Sequence, residues 1–267
     1  LRLNQFISLH SKHSRRESDM LIELGRVRVN HSIATRHTKV PDIAINNPIE
    51  AQKDFKIFID NKPIYYSKFN SRNNWSAIVY HKKKGELVSK FDPKGRALIY
   101  DSIDSKYSHF MPVGRLDFAS EGLLILSDSK AVVCALMESE LPRVYIVKID
   151  SKINDKIIYA MSNGISLKDA RAGGHSHSKI ISMDFPAMEF KIIRNSKISK
   201  LKLCIKEGKN REIRRFFAHF NANVLDLRRV SYGFVNLNAL PLGKTRFFTR
   251  EEYRDLKNFM LLPKELI

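Results

Sequence analysis

Val113–Gly122 reads Val-Gly-Arg-Leu-Asp-Phe-Ala-Ser-Glu-Gly, and it runs directly into Leu123-Leu124-Ile125-Leu126. A short apolar run next to turn residues reads as a buried strand, and Gly114 and Gly122 bracket the turn that precedes it. That turn holds Asp117 two residues after Arg115. An acid presented by a loop at the end of a core strand is poorly placed for solubility and well placed for chemistry. The bland alternative is a turn acid that accepts hydrogen bonds from neighbouring backbone. For an isolated Arg-Leu-Asp the bland reading would be the better one, so the rest of the chain has to decide.

The chain has 267 residues, room for two domains, and its 43% hydrophobic content excludes wholesale disorder. Lys and Arg number 47 against 28 Asp and Glu, a formal charge of +19 that implies a polyanionic partner. Nucleic acid ranks ahead of membrane, because no run of about eighteen apolar residues is present to span a bilayer. Leu1–Phe6 mix polar and apolar residues, unlike a secretory signal. The two cysteines, Cys134 and Cys204, lack zinc-ligand spacing and read as core thiols in a reducing cytoplasm. His175 and His177 have no third ligand nearby, so they read as loop or RNA-facing residues.

Ser14-Arg15-Arg16-Glu17 is a capping box, which predicts a helix from Arg15. Met20, Leu21 and Leu24 give that helix an apolar stripe, and Gly25 suits a left-handed terminus. Arg26-Val27-Arg28-Val29 then alternates, placing both arginines on one strand face and both valines on the core face. Residues 2–39 carry eight Lys/Arg and three acids, a cationic surface unless it is simply a solvated face. Asn61 to Asn74, with Pro63, reads as a polar linker.

Beyond it, Ala77-Ile78-Val79 reads as a strand, with Tyr80 to Gly85 as a basic turn containing Lys82, Lys83 and Lys84. Asp128 or Ser129 can cap a helix through Met137. Tyr145 falls in the middle of an alternating strand, Arg143 to Ile149. Leu201, Leu203 and Ile205 alternate into a turn at Glu207-Gly208-Lys209-Asn210. In the helix that follows, a 100° step groups Arg211, Arg214 and Arg215 opposite Ile213, Phe216, Phe217 and Phe220. Strands are expected around Leu225–Leu227 and Phe234–Leu237. Thr249-Arg250-Glu251-Glu252 is a second capping box that opens a terminal helix.

Gly114-Arg115-Leu116-Asp117, Tyr145-Ile146-Val147-Lys148 and Glu207-Gly208-Lys209-Asn210-Arg211-Glu212-Ile213-Arg214-Arg215 occur in that order. They resemble the bacterial ribosomal-RNA pseudouridine synthases of the RsuA and RluB group. Arg2-Leu3-Asn4, the first capping box and Gly25–Asn30 resemble the S4-like RNA-binding module. The resemblance covers nearly the whole chain. One departure is Lys82-Lys83-Lys84-Gly85, where the family reads Lys-Pro-x-Gly. Without proline's fixed φ this turn is looser, and the extra cation is placed to touch phosphate.

The resemblance implies an α+β protein: a small S4-like α/β RNA-binding domain (1–62), a linker (63–74) and a catalytic domain (75–267) with a mostly antiparallel mixed sheet and flanking helices. It implies detachment of uracil from ribose, rotation of the base and rejoining through carbon 5, without metal or cofactor. Asp117 is then the nucleophile, on the ribose or on carbon 6 of the ring. A buried carboxylate needs a cation to stay ionised, and the third motif assigns Arg214 to this role, with Arg211 as the alternative. Tyr145 would stack on the base and remove the proton at carbon 5, although a phenol of ordinary pKa about 10 is a weak base.

The target would be flipped out, with Arg115 filling the gap or holding phosphate. Arg15, Arg16, Arg26, Arg28, Lys82, Lys209, Asn210, Arg211 and Arg215 are expected at RNA. The expected partner is ribosomal RNA or an assembly intermediate, acted on by a cytoplasmic monomer, with the large subunit ahead of the small. A silent ribosome-binding factor and a DNA-binding regulator are the rivals. Retention of Asp117, Tyr145 and Arg214 weighs against the first, and the absence of a helix-turn-helix pattern weighs against the second.

Overall fold

The computed structural model describes residues 2–66, 75–175 and 178–261. The chain divides into two units, with the boundary between Trp75 and Ser76. In the first, α1 (Leu3–His10) and α2 (Arg15–Glu23) precede β1 (Val27–Val29) and β2 (Ser32–Ile33). Two short helices follow, α3 (Asp42–Asn46) and α4 (Pro48–Ala51), and then β3 (Ile57–Ile59) and β4 (Lys62–Pro63). The sheet order is β2-β1-β3-β4.

The first capping box forms as the sequence predicts: the Glu17 amide donates to Ser14 Oγ at 3.2 Å, and the Ser14 amide donates to Glu17 Oε2 at 2.6 Å. Gly25 closes the helix at φ +67°. Phe6, Ile7, Leu21, Ile22, Val27 and Ile57 form the small core. The linker starts later than the sequence suggests. Pro63 pairs with Phe58 in β4, and Ile64 and Tyr66 are buried in the small core, so burial overrides the polar composition. The remainder of that linker, 67–74, lies outside the described residues, as does His177.

The second unit opens with β5 (Ala77–Lys82), α5 (Ile99–Ser102), β6 (Met111–Pro112) and β7 (Glu121–Ser127). It continues through α6 (Lys130–Glu138), β8 (Arg143–Ile149), α7 (Asp155–Asn163), β9 (Ile165–Leu167) and β10 (Met183–Phe185). Next come β11 (Glu189–Arg194), β12 (Ser199–Ile205), α8 (Glu212–His219), β13 (Val224–Tyr232), β14 (Val235–Asn236), β15 (Thr245–Phe247) and α9 (Arg250–Leu261). The large sheet has the order β11-β12-β8-β13-β7-β5-β15, with β14 on β13 and β6 on β7. Among the described residues β13 and β7 pair in parallel and the other neighbours are antiparallel.

Alternation gives this sheet two faces. Tyr80, Leu124, Leu126, Tyr145, Val147, Leu201 and Leu203 share one core with Ile157 and Met161 of α7 and with Ile213, Phe216 and Phe217 of α8. Tyr145 therefore lies on the sheet face that α8 covers. Ser129 caps α6 as expected, and Thr249 with Glu252 forms the second capping box.

Two expectations fail at β5 and α8. The strand read as ending at Val79 continues to Lys82, because Tyr80, His81 and Lys82 pair with Leu124, Leu123 and Gly122. The last helix of the three motifs begins at Glu212. Arg211 precedes it at φ +52°, in the left-handed region, and so leaves the helical wheel on which it was placed.

Candidate active site

The loop before β7 presents Asp117, with Leu116 buried beneath it and Arg115 and Phe118 exposed. The Ser120 amide donates to the Asp117 carbonyl at 3.0 Å, closing a turn. Lys82 holds that turn from behind. Its fully buried Nζ donates to the carbonyls of Lys83 at 2.8 Å, Asp117 at 3.2 Å and Ser120 at 2.9 Å. Burial pushes the Lys82 amine down to about 8, against the opposing pull of Glu86, Asp117 and Glu121. Lys82 is thus no phosphate contact; all three of its donors are used inside the protein. Lys83 is likewise engaged, donating to Ser102 Oγ at 3.0 Å and lying 3.4 Å from Glu86.

Two guanidinium groups converge on the Asp117 carboxylate. Arg211 Nη1 and Arg214 Nε each lie 3.5 Å from the same oxygen, Oδ2. Among the described residues neither carboxylate oxygen accepts a hydrogen bond, and Arg214 Nε is buried without one. Both of the alternatives weighed from the sequence therefore touch the acid, and they differ in how firmly they are held. Arg214 also donates to the Val224 carbonyl at 3.0 Å, to Ser120 Oγ at 3.2 Å and to the Ala119 carbonyl at 3.3 Å. Arg211 is fixed by one bond, from Nε to the Gly173 carbonyl at 2.6 Å. Burial, followed by repulsion from Arg211, lowers the pKa of Arg214, and Asp117 pulls it back up. A guanidinium remains charged at neutral pH regardless.

Gly173 makes this packing possible: at φ +72°, a Cβ there would lie 2.5 Å from the Arg214 carbonyl oxygen. Arg215 grips the same loop. It donates to the carbonyl and side-chain oxygens of Asn210 at 2.9 and 3.2 Å, to Ser178 Oγ at 2.7 Å and to the Ala170 carbonyl. It is fully buried, so the expectation that it tracks RNA is corrected to a brace from α8 to Ala170 and Ser178. Asn210 is exposed but already accepts from that brace.

Tyr145 is 7% exposed, and among the described residues its hydroxyl has no partner. It sits opposite Leu203 on one side and Arg229 on the other, and Arg229 is in turn paired with Gly122, which follows the Asp117 loop. One cross-strand row thus links Tyr145 to the end of that loop, on the face from which Arg214 reaches Asp117.

The remaining cations differ in availability. Arg15, Arg16 and Arg115 are exposed and without a partner among the described residues. Arg26 forms a two-bond pair with Asp60 at 2.6 and 2.7 Å, and Arg28 donates to the His31 carbonyl at 3.1 Å. The Arg26 pair is exposed and so costs little to open. Lys209 lies 2.5 Å from Glu207 and donates to the Asp184 carbonyl at 2.8 Å. Sequence reasoning missed Ser120 and the Gly173 loop. The small residues Ala170, Ala172, Gly173 and Gly174 were the available signal that another element packs closely there.

This fold and site define an enzyme acting on RNA. The chain belongs to the RNA pseudouridylate synthase family, whose model matches residues 76–219, and the S4 domain model matches residues 1–41. It is 52% identical over 265 residues to an "uncharacterized RNA pseudouridine synthase" of Helicobacter pylori strain J99, covering 97% of this chain and 95% of that protein. It is 26% identical over 262 residues to the ribosomal large subunit pseudouridine synthase B of Bacillus subtilis, covering 96% and 95%. The crystal structure of a pseudouridylate synthase shares the fold, with a TM-score of 0.61 at 20% identity over 96% of this chain and 99% of that one. The chain is an RNA pseudouridine synthase. No helix among the described residues is long and apolar enough to cross a membrane.

Proposed function

We propose that this enzyme isomerises a uridine of large-subunit ribosomal RNA, with Asp117 as nucleophile, Arg214 as its principal counter-ion and Tyr145 against the target base. The observation that carries the reading is the convergence of two guanidinium groups on the Asp117 carboxylate, Arg211 Nη1 and Arg214 Nε each at 3.5 Å, with no hydrogen bond using up either oxygen among the described residues. The large-subunit assignment is supported by the Bacillus subtilis relative, which aligns over nearly its whole length.

In the reaction the bond between N1 and the ribose carbon breaks, a bond between carbon 5 and that ribose carbon forms, carbon 5 gives up its proton and N1 gains one. The carboxylate adds to the ribose carbon or to carbon 6, and is released when the new glycosidic bond is complete. Either route develops charge at the acid and the reacting carbon, and the two guanidinium groups are placed beside it to balance that charge. Tyr145 offers a flat ring for stacking and a free hydroxyl for the proton at carbon 5. Arg115 and Phe118, exposed beside Asp117, flank the path of an extruded nucleotide.

The test is to map pseudouridine in ribosomal RNA from cells lacking this protein, complemented with wild type or Asp117→Asn. One large-subunit position should disappear and return with wild type alone. Return with Asp117→Asn would overturn the nucleophile assignment, and loss at a small-subunit position would overturn the substrate assignment.

A further inference from the structure

The sheet face opposite the α8 core is open across β8, β11 and β12. Its residues fall into rows set by strand register. Lys191 lies opposite Lys202, which lies opposite Ile146, and that residue faces Arg228. In the next row Arg194 lies opposite Lys200, which lies opposite Lys148. A register shift between Ile192 and Arg194 brings Arg194 into line with Lys200.

Directly opposed like charges destabilise a sheet, and here three such pairs occupy adjacent rows: Lys191 with Lys202, Arg194 with Lys200, and Lys200 with Lys148. At the inner end the charges are neutralised: Lys148 lies 3.5 Å from Asp226, and Arg228 lies 4.0 Å from Glu121. At the outer end they are not. Lys191, Lys200 and Lys202 have no side-chain partner among the described residues, and Lys191 and Lys202 are exposed.

We infer that this face docks the phosphate backbone of an RNA duplex flanking the target nucleotide. The inference rests on the proposed RNA substrate and adds a second place at which that substrate is held. Charge identifies a polyanion, and the absence of rings identifies its form. Single strands are gripped by stacking bases on aromatic side chains. The residues on this face, Val144, Ile146, Lys148, Glu189, Lys191, Lys200, Lys202 and Cys204, include no aromatic, and Phe190 packs into the opposite core. A flat array of ammonium groups suits backbone contact without base readout.

The test is the full-length triple variant K191Q/K200Q/K202Q, with the corresponding triple arginine variant as the charge-preserving control. Affinity for a blunt RNA duplex and for oligouridine is measured across salt concentrations. The glutamine variant should flatten the duplex salt slope by about 2 to 3, with a much smaller change for oligouridine, and the arginine variant should behave as wild type. Relief of like-charge repulsion should leave Tm unchanged or raised. Isomerisation in a single turnover at saturating RNA should be unaffected, whereas Asp117→Asn should abolish isomerisation and leave the duplex slope intact, so the two readings fail separately. An unchanged duplex slope, or an equal loss on oligouridine, overturns the inference. So does a lowered Tm, or a defect confined to ribosomal particles, which would mark a protein partner.

Discussion

Nζ of Lys82, at the end of β5, donates to the main-chain carbonyl of Asp117 at 3.2 Å, joining residues 35 positions apart. The same ammonium serves Ser120 and Lys83, so three hydrogens meet three carbonyls. Burial lowers its pKa to about 8. Loss of the proton leaves two hydrogens for three acceptors, so kcat should fall as pH rises through about 8, and Lys82→Met should remove that limb at a lower plateau. Stability moves the other way. Between about 8 and the ordinary value of 10.5 the unfolded chain binds the proton more than the folded one does, so wild-type stability relative to Lys82→Met should rise with pH across that window. Activity profiles and melting curves of both proteins over pH 7 to roughly 10.5 check both signs.

Arg214 and Arg211 reach one oxygen, yet their replacement should not be equivalent. Arg214→Lys loses the contacts with Val224, Ala119 and Ser120 that a point-charge amine cannot reproduce together. It should lower single-turnover rate by about 100-fold and stability by about 2 kcal/mol. Arg211→Lys loses one side-chain bond, to Gly173, and should cost about 1 kcal/mol of stability with a smaller rate loss. Rates at saturating RNA and urea unfolding separate the two; equal losses at both positions would contradict the division.

Tyr145→Phe keeps the ring and removes a hydroxyl that has no partner among the described residues. If the hydroxyl handles the carbon 5 proton, kcat should fall by about 10²-fold to 10⁴-fold with KM little changed. Melting temperature should stay near wild type. Tyr145→Leu should raise KM as well, because the stacking surface is gone.

Arg215 and the pair Arg15 with Arg16 were indistinguishable as charges in the sequence, and the structure separates them. Arg215→Gln removes a buried brace and should cost about 2 to 3 kcal/mol with no change in the RNA salt slope. Arg15→Gln with Arg16→Gln should leave stability unchanged and flatten that slope by about 2. Denaturation and salt titration of RNA binding, run on both variants, distinguish the roles.

Local features of the fold were legible because their causes are local. Both capping boxes, the Gly25 terminus, the alternating strand around Tyr145 and the apolar run after Asp117 formed where sequence placed them. The failures share a long-range cause. Lys82 looks like a surface cation until carbonyls from a loop 35 residues away surround it. Arg215 shares a helical wheel with Arg214, but Ala170 and Ser178 close over it. Arg211 left the wheel when its backbone turned left-handed, a change that residue type alone does not announce. Pro63 reads as a breaker and still completes an edge strand, where its missing N–H costs least.

Gly122 is the second residue of β7, paired with Lys82 on one side and Arg229 on the other just after the Asp117 loop. Its φ is +112°, and a Cβ there would lie 2.6 Å from the Arg229 amide nitrogen and nearer still to the Arg229 carbonyl oxygen. Strand β13 can approach β7 in parallel at this point only because the side chain is absent. Gly122→Ala forces either a φ change or a separation of the strands, and both move the loop that ends in β7. Stability should drop by about 2 to 4 kcal/mol, and the remaining folded protein should show a lowered single-turnover rate with RNA affinity largely kept. Gly85→Ala provides the control, since its φ of +79° is also positive but its Cβ would meet nothing within 4 Å. If both alanines cost the same, backbone strain alone accounts for Gly122. A larger loss at Gly122 assigns the difference to the close approach of Arg229.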